Sequence, residues 1–142
     1  LLHVVTQIRA FLDDAAARPE LADGRALLTT AVADVQAMVA AMTKYLIDSQ
    51  QNPQELYRVG LESVSFLLAC GDLLLGWLLL SQAEVALTAL DGEVSARDRD
   101  FYTGKVATAL FFAKNMLPGL TARRAILEAV DLTAMDVPES AF

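Results

Sequence analysis

The apolar positions of this chain recur every three to four residues almost from end to end, the period of helices that bury one stripe. Leu1, Val5, Ile8, Leu12 and Ala15 mark a first helix over about residues 1–17. Arg18-Pro19 ends it, because the residue before a proline disfavours helical backbone. A turn follows from Pro19 to Gly24. Leu28, Ala31, Val35, Met38, Met42 and Tyr45 then alternate steps of three and four, predicting a second helix over about Arg25–Ser49, its seam widened by Val32, Val39 and Leu46. Ala33, Ala37 and Ala41 lie off that seam and favour the helix intrinsically. Asn52-Pro53-Gln54-Glu55 reads as a helix start: Asn52 to accept from first-turn amides, Pro53 at the first helical position, Glu55 where a capping box wants an acid. The third helix runs to about Leu90 and is closed by Asp91-Gly92, with Gly92 expected in the left-handed conformation. Ser95-Ala96-Arg97-Asp98 caps a fourth helix to about Leu117, which Pro118-Gly119 stops. Thr121 is placed to cap a short fifth helix to about Val130, and the tail from Asp131 to Phe142 reads as irregular. No segment alternates with the period of a strand. The pattern predicts an all-α protein: an antiparallel four-helix bundle with a short fifth helix and an irregular C-terminal tail, one domain over residues 1–142.

The third helix raises a question of environment. Between Glu62 and Glu84 the only formal charge is Asp72, and the stretch is long enough to span a bilayer. A mid-span carboxylate is costly there, Ser63, Ser65, Ser81 and Gln82 thin the ends, and no basic cluster flanks either side. The expectation is the central helix of a bundle, surrounded by the others. Asp72 then needs a partner, with Lys105 or Lys114 on the fourth helix or Lys44 on the second as candidates, unless it faces solvent. Gly60, Gly71 and Gly76 weaken a helix, so close helix contact is the expected compensation. Trp77 is expected in the core or an interface. Phe111-Phe112 points adjacent rings at different faces, so one must leave the seam and either meet another helix or mark a docking surface.

Composition narrows the function classes. The 142 residues suit one domain, and 55% hydrophobic with 20% charged residues excludes disorder. A formal net charge of −7 argues against nucleic-acid binding and against an anionic membrane surface. One cysteine, Cys70, and one histidine, His3, give no internal disulfide and no Cys/His zinc site, in keeping with a reducing, cytoplasmic setting. There is no phosphate-cradling glycine loop, no nucleophile elbow and no Glu-x-x-His pair. Asp13-Asp14, Asp98/Asp100 and Glu55/Glu62 read as caps or solvated faces. Arg97/Arg99 and Arg123/Arg124 read as surface doublets, with a phosphate contact the alternative for Arg123-Arg124. No catalytic, cofactor-binding or metal-ligating residue is assigned; Asp72, Trp77, Lys105, Phe111 and Phe112 are the structural or interaction candidates. The uncapped start at Leu1-Leu2-His3-Val4 reads as a piece of a longer polypeptide.

The stretch YRVGLESVSFLLACGDLLLGWLLL from Tyr57 to Leu80, then Gln82-Ala83 and FYTGKVATALFFAKNMLPGLTARRAILE from Phe101 to Glu128, resembles the extra C-terminal helical domain of acyl-CoA dehydrogenases, in the branch of the 3-methylmercaptopropionyl-CoA dehydrogenase-like enzymes. The glycine-spaced apolar helix and the segment Lys105, Lys114, Asn115, Leu117, Pro118 carry the resemblance; they are signatures of fold, not of catalysis. The resemblance implies a parent flavoenzyme that uses FAD to oxidise an acyl-CoA to the trans-2-enoyl-CoA in fatty acid metabolism, passing electrons to an electron-transfer flavoprotein. It implies a glutamate base in a Y-E-G-T-like loop that would lie upstream of Leu1. The nearest text, Phe101-Tyr102-Thr103-Gly104, lacks the glutamate and falls inside a helix, so no catalytic or flavin residue is carried over. The expected partners are the parent's catalytic body and further copies in a homo-oligomer. Two alternatives stand beside this: a free-standing helical interaction module, and a peripheral membrane-contact domain.

Overall fold

The computed structural model describes residues 2–14 and 18–141, with side chains from Val4 onward. The elements are α1 (Leu2–Leu12), α2 (Ala22–Asp48), α3 (Glu55–Leu90), α4 (Ala96–Asn115) and α5 (Gly119–Glu128), with single 3-10 turns at Pro19–Leu21, Thr133–Asp136 and Glu139–Ala141. Among the described residues there is no strand, and the expected all-α bundle is what the chain forms.

The core sits where the two long helices meet their neighbours. Leu28, Ala31, Val35, Met38 and Tyr45 of α2 are buried as their spacing requires, against Ala69, Leu73, Leu80 and Ala83 of α3 and Ala109 and Ala113 of α4; Leu46, expected to widen that seam, is 54% exposed instead. Leu117, Leu120 and Leu127 close the core from the α4–α5 junction and α5. α5 lies against α2 as well as α3, so this short helix helps to wall the bundle. α1 contributes Ile8, fully buried, with Val4, Phe11 and Leu12 packed on the core.

Local signals were obeyed unevenly. Ser95 caps α4 as expected, accepting from the Asp98 amide at 3.2 Å and donating to the Asp98 carboxylate at 2.8 Å. The Asn52 start is looser. Its Oδ1 accepts from Gln54 N–H at 3.3 Å, three 3-10-type bonds from Glu55, Leu56 and Tyr57 precede the regular helix, and Glu55 turns to Arg58 at 2.9 Å instead of closing a capping box. Thr121 does not cap α5, which begins at Gly119; its hydroxyl donates to Asp34 instead. Gly92 is not left-handed, since no glycine among the described residues has positive φ; Asp91 leaves α3 in ordinary helical geometry. The first helix closes at Leu12, and residues 15–17 of its expected span lie outside the described residues.

The glycines divide. A Cβ on Gly76 would stand 2.9 Å from Leu117 Cδ2, and one on Gly24 would stand 2.7 Å from Leu80 Cδ2. These are the close approaches that exclude a side chain. Gly60 and Gly71 do not behave as expected, because nothing lies within 4 Å of the position a Cβ would take on either. Packing inside this domain gives no reason for them.

Candidate docking surface

The charged side chains that lie between helices are paired. Asp72 is paired with Arg123 at 2.7 Å, its side chain 17% exposed. The three candidate lysines are not its partners: Lys44 bonds Asp48 within its own helix, and Lys105 reaches Gln82 Oε1 at 3.2 Å with its ammonium 5.5 Å from the centre of the Phe101 ring. Arg123 lies one turn into α5, close enough to the middle of α3 to supply the guanidinium that no lysine does. Arg124 reaches Glu128 at 2.8 Å and Asp34 at 3.4 Å. The Arg123-Arg124 doublet is therefore a bracket tying α5 to α2 and α3, not a solvated pair.

Two buried charges of α2 were not among the expected candidates, and Glu62 of α3, expected on a cap or solvated face, is buried as well. Asp34, 3% exposed, accepts from Thr121 Oγ1 at 2.6 Å and from Arg124. Arg25, 7% exposed, joins three helices: it reaches Glu84 of α3 at 2.7 Å, donates to the Phe11 carbonyl of α1, and lies 4.0 Å from the centroid of the Phe11 ring. The sequence did carry a signal for both. Arg25 stands three residues before Leu28 and Asp34 four before Met38, so each falls on the seam that buries α2. A charge in register with a buried stripe must be partnered. At the far end of the bundle, the Tyr45 hydroxyl donates to the Leu127 and Glu128 carbonyls at the end of α5, and Arg58 donates to Val130 O just beyond it.

What remains open on α3 is apolar. α3 is not surrounded by the other helices, as its composition had suggested. One side of it, through Ala69, Leu73, Gly76, Leu80, Ala83 and Leu87, is buried. The other side carries a second stripe at steps of four and three: Tyr57, Leu61, Val64, Leu68, Gly71, Leu75, Leu78, Gln82, Val85. Every leucine and valine of it is exposed, from Leu61 at 43% to Val85 at 69%, and Leu67 flanks it at 69%. At 100° per residue the two stripes point roughly 150° apart. An all-round apolar helix in this chain is thus two seams back to back, only one of which the domain itself fills. By length and composition both α3 and the stretch Pro19–Asp48 could cross a membrane, yet Arg25, Asp34 and Glu62 sit on their buried sides. Phe101 (58% exposed) continues the open face across a shallow groove between α3 and α4, where Lys105 lies at the edge.

The other aromatics are settled by their neighbours. Phe112 packs on the core while Phe111, 68% exposed, leaves the seam, as adjacent rings on one helix must. Trp77 is half-buried against the core. A cleft of about 630 Å³ opens between α1, α2 and α3, lined by Val4, Ile8, Val32, Val35, Phe66 and Leu73, with Arg9 and Gln36 among its few polar walls. Cys70 lines it too, and burial pushes its thiol up, which keeps it protonated and unreactive. No three His, Cys, Asp or Glu side chains among the described residues converge as metal ligands.

These features describe an all-α domain whose polar groups serve its own folding and whose unfilled surface is an apolar helix face, the make-up of a domain that packs on something else. Residues 4–138 match the family described as acetyl-CoA dehydrogenase C-terminal like, and the chain belongs to that family. It is 51% identical over 142 residues to the broad-specificity linear acyl-CoA dehydrogenase FadE5 of Mycobacterium tuberculosis, matching the whole of this chain and 23% of that protein. It is also 33% identical over 93 residues to a butyryl-CoA dehydrogenase of Syntrophomonas wolfei, covering 64% of this chain and 15% of the relative. The chain spans less than a quarter of the length of these relatives.

Proposed function

We propose that this chain is the accessory C-terminal domain of an FAD-dependent acyl-CoA dehydrogenase, a cytoplasmic enzyme of the 3-methylmercaptopropionyl-CoA dehydrogenase-like branch that oxidises acyl-CoA thioesters to trans-2-enoyl-CoA. Its role is to pack on the catalytic body and stabilise the assembled enzyme. The observation that carries the reading is the match of the whole chain to about a quarter of an acyl-CoA dehydrogenase, combined with the apolar helix face that α3 leaves open.

The flavin itself does not fit these residues. A flavin diphosphate needs convergent amide donors or several cations. The cleft between α1, α2 and α3 offers valine, isoleucine, leucine and phenylalanine walls with Arg9 as its one cation. FAD therefore belongs to the rest of the parent. The test is anaerobic titration of the full-length polypeptide with saturated acyl-CoAs of increasing chain length. Stoichiometric bound flavin that bleaches as enoyl-CoA forms is the expected result. A full-length protein that folds without flavin, or holds flavin that no acyl-CoA reduces, would overturn the assignment.

A further inference from the structure

The open stripe of α3 also has features that define how its occupant lies. This inference rests on the reading of the chain as an accessory domain and adds the contact surface, the occupant and the crossing point. We infer that the stripe is the seam along which this domain docks on an apolar helix of the parent's own catalytic body, crossing it near Gly71.

Three observations point there. The first is periodicity. Leu61, Val64, Leu68, Gly71, Leu75 and Leu78 keep the alternating steps of a heptad seam, the spacing that holds one helix against another lying nearly along it. A face meant for a disordered surface or a small ligand has no need of that register. The second is area. The exposed parts of these residues with Tyr57, Leu67, Leu74 and Val85 amount to on the order of 800 Å², about what a standard interface takes from each partner and more than a soluble monomer usually leaves in one patch. The third is Gly71. It lies midway between Tyr57 and Val85 on the stripe and has open space where its side chain would be. A glycine in mid-helix lowers stability, and this domain gains nothing from it. Against a second helix it permits the close backbone approach that a crossing point requires.

Charge and tethering choose the occupant. No unpaired charge lies on the stripe, since Asp72 is held by Arg123 and Glu84 by Arg25, so the complementary surface is apolar too. A catalytic body on the same polypeptide meets this face at the effective concentration of a tethered partner, on the order of millimolar, well above that of a second copy in solution. The intramolecular contact therefore fills the seam first.

The experiment uses the full-length flavoenzyme with Leu68→Glu and Leu75→Glu together, and separately Gly71→Leu. Limited proteolysis measures release of the domain, flavin absorbance reports the catalytic body, and sedimentation gives the oligomeric state. The expected result is release faster by about tenfold or more in the double glutamate variant, a smaller increase in Gly71→Leu, and retained flavin in both. Release unchanged from wild type overturns the inference, and so does a wild-type oligomer that dissociates in the variants while each domain stays docked, which would give the seam to a second copy. A wild-type protein without flavin fails the parent assignment instead, and the two failures are separable.

Discussion

Arg25→Ala is expected to lower the stability of the 142-residue chain by about 3 kcal/mol, the largest effect of any single charge removal. The guanidinium is buried, and it holds Glu84, the Phe11 carbonyl and the Phe11 ring at once. Removing it leaves Glu84, only 26% exposed, without its cation, and it frees α1, whose other anchors are Ile8 and a few half-buried apolar side chains. Denaturant unfolding measures the loss, and amide exchange over residues 4–12 should quicken more than over α3. The double variant Arg25→Met with Glu84→Met is expected to recover most of the loss, because apolar groups of similar volume replace a buried pair at little net cost. A single variant within about 0.5 kcal/mol of wild type would mean that the pair does not hold the three helices together.

Gly76→Leu is expected to cost roughly 3 kcal/mol, through overpacking. Three atoms of Leu117, Cγ and both methyls, lie within 3.4 Å of the position a Cβ would take, and Leu117 is 2% exposed, so it has no free direction in which to retreat. The improved helix propensity of leucine, about 1 kcal/mol over glycine, does not offset that. Gly71→Leu, five residues away on the same helix, is expected to be neutral or to stabilise the isolated chain by up to about 1 kcal/mol, for the same propensity reason and with no clash. Thermal unfolding of the two variants side by side decides the matter. Equal losses at both positions would contradict the division of glycines into internal and external contacts.

That division also shows what a sequence can and cannot express. The helix pattern, the Ser95 cap and the burial of Leu28, Ala31, Val35, Met38 and Tyr45 were legible because they depend on period and on neighbours a few residues away. The glycines of α3 look alike in the sequence; whether a glycine touches Leu117 or open space depends on the α4–α5 junction, about forty residues further on. The partner of Asp72 was missed for a related reason. Lysines on long helices seemed nearest, but the short α5 folds back to bring Arg123 against α3. The two faces of α3 were hidden by excess. When nearly every position is apolar, one buried seam and one open seam add up to a helix that reads as buried all round, and only the heptad register of Leu61, Val64, Leu68, Leu75 and Leu78 separates them. The ion pairs of Arg25 and Asp34 went unread, although both residues lie in register with the buried stripe of α2.

On the proposed function, this bundle supports a flavoenzyme and does not perform its reaction. The direct measurement is anaerobic flavin reduction by acyl-CoA, per bound flavin, in the full-length protein and in one lacking these 142 residues. The expected result is flavin that acyl-CoA still reduces in the shortened protein, together with a lowered melting temperature and a changed assembly. A shortened protein that folds and keeps its flavin, yet is no longer reduced by acyl-CoA, would place part of the chemistry in this domain and contradict the account.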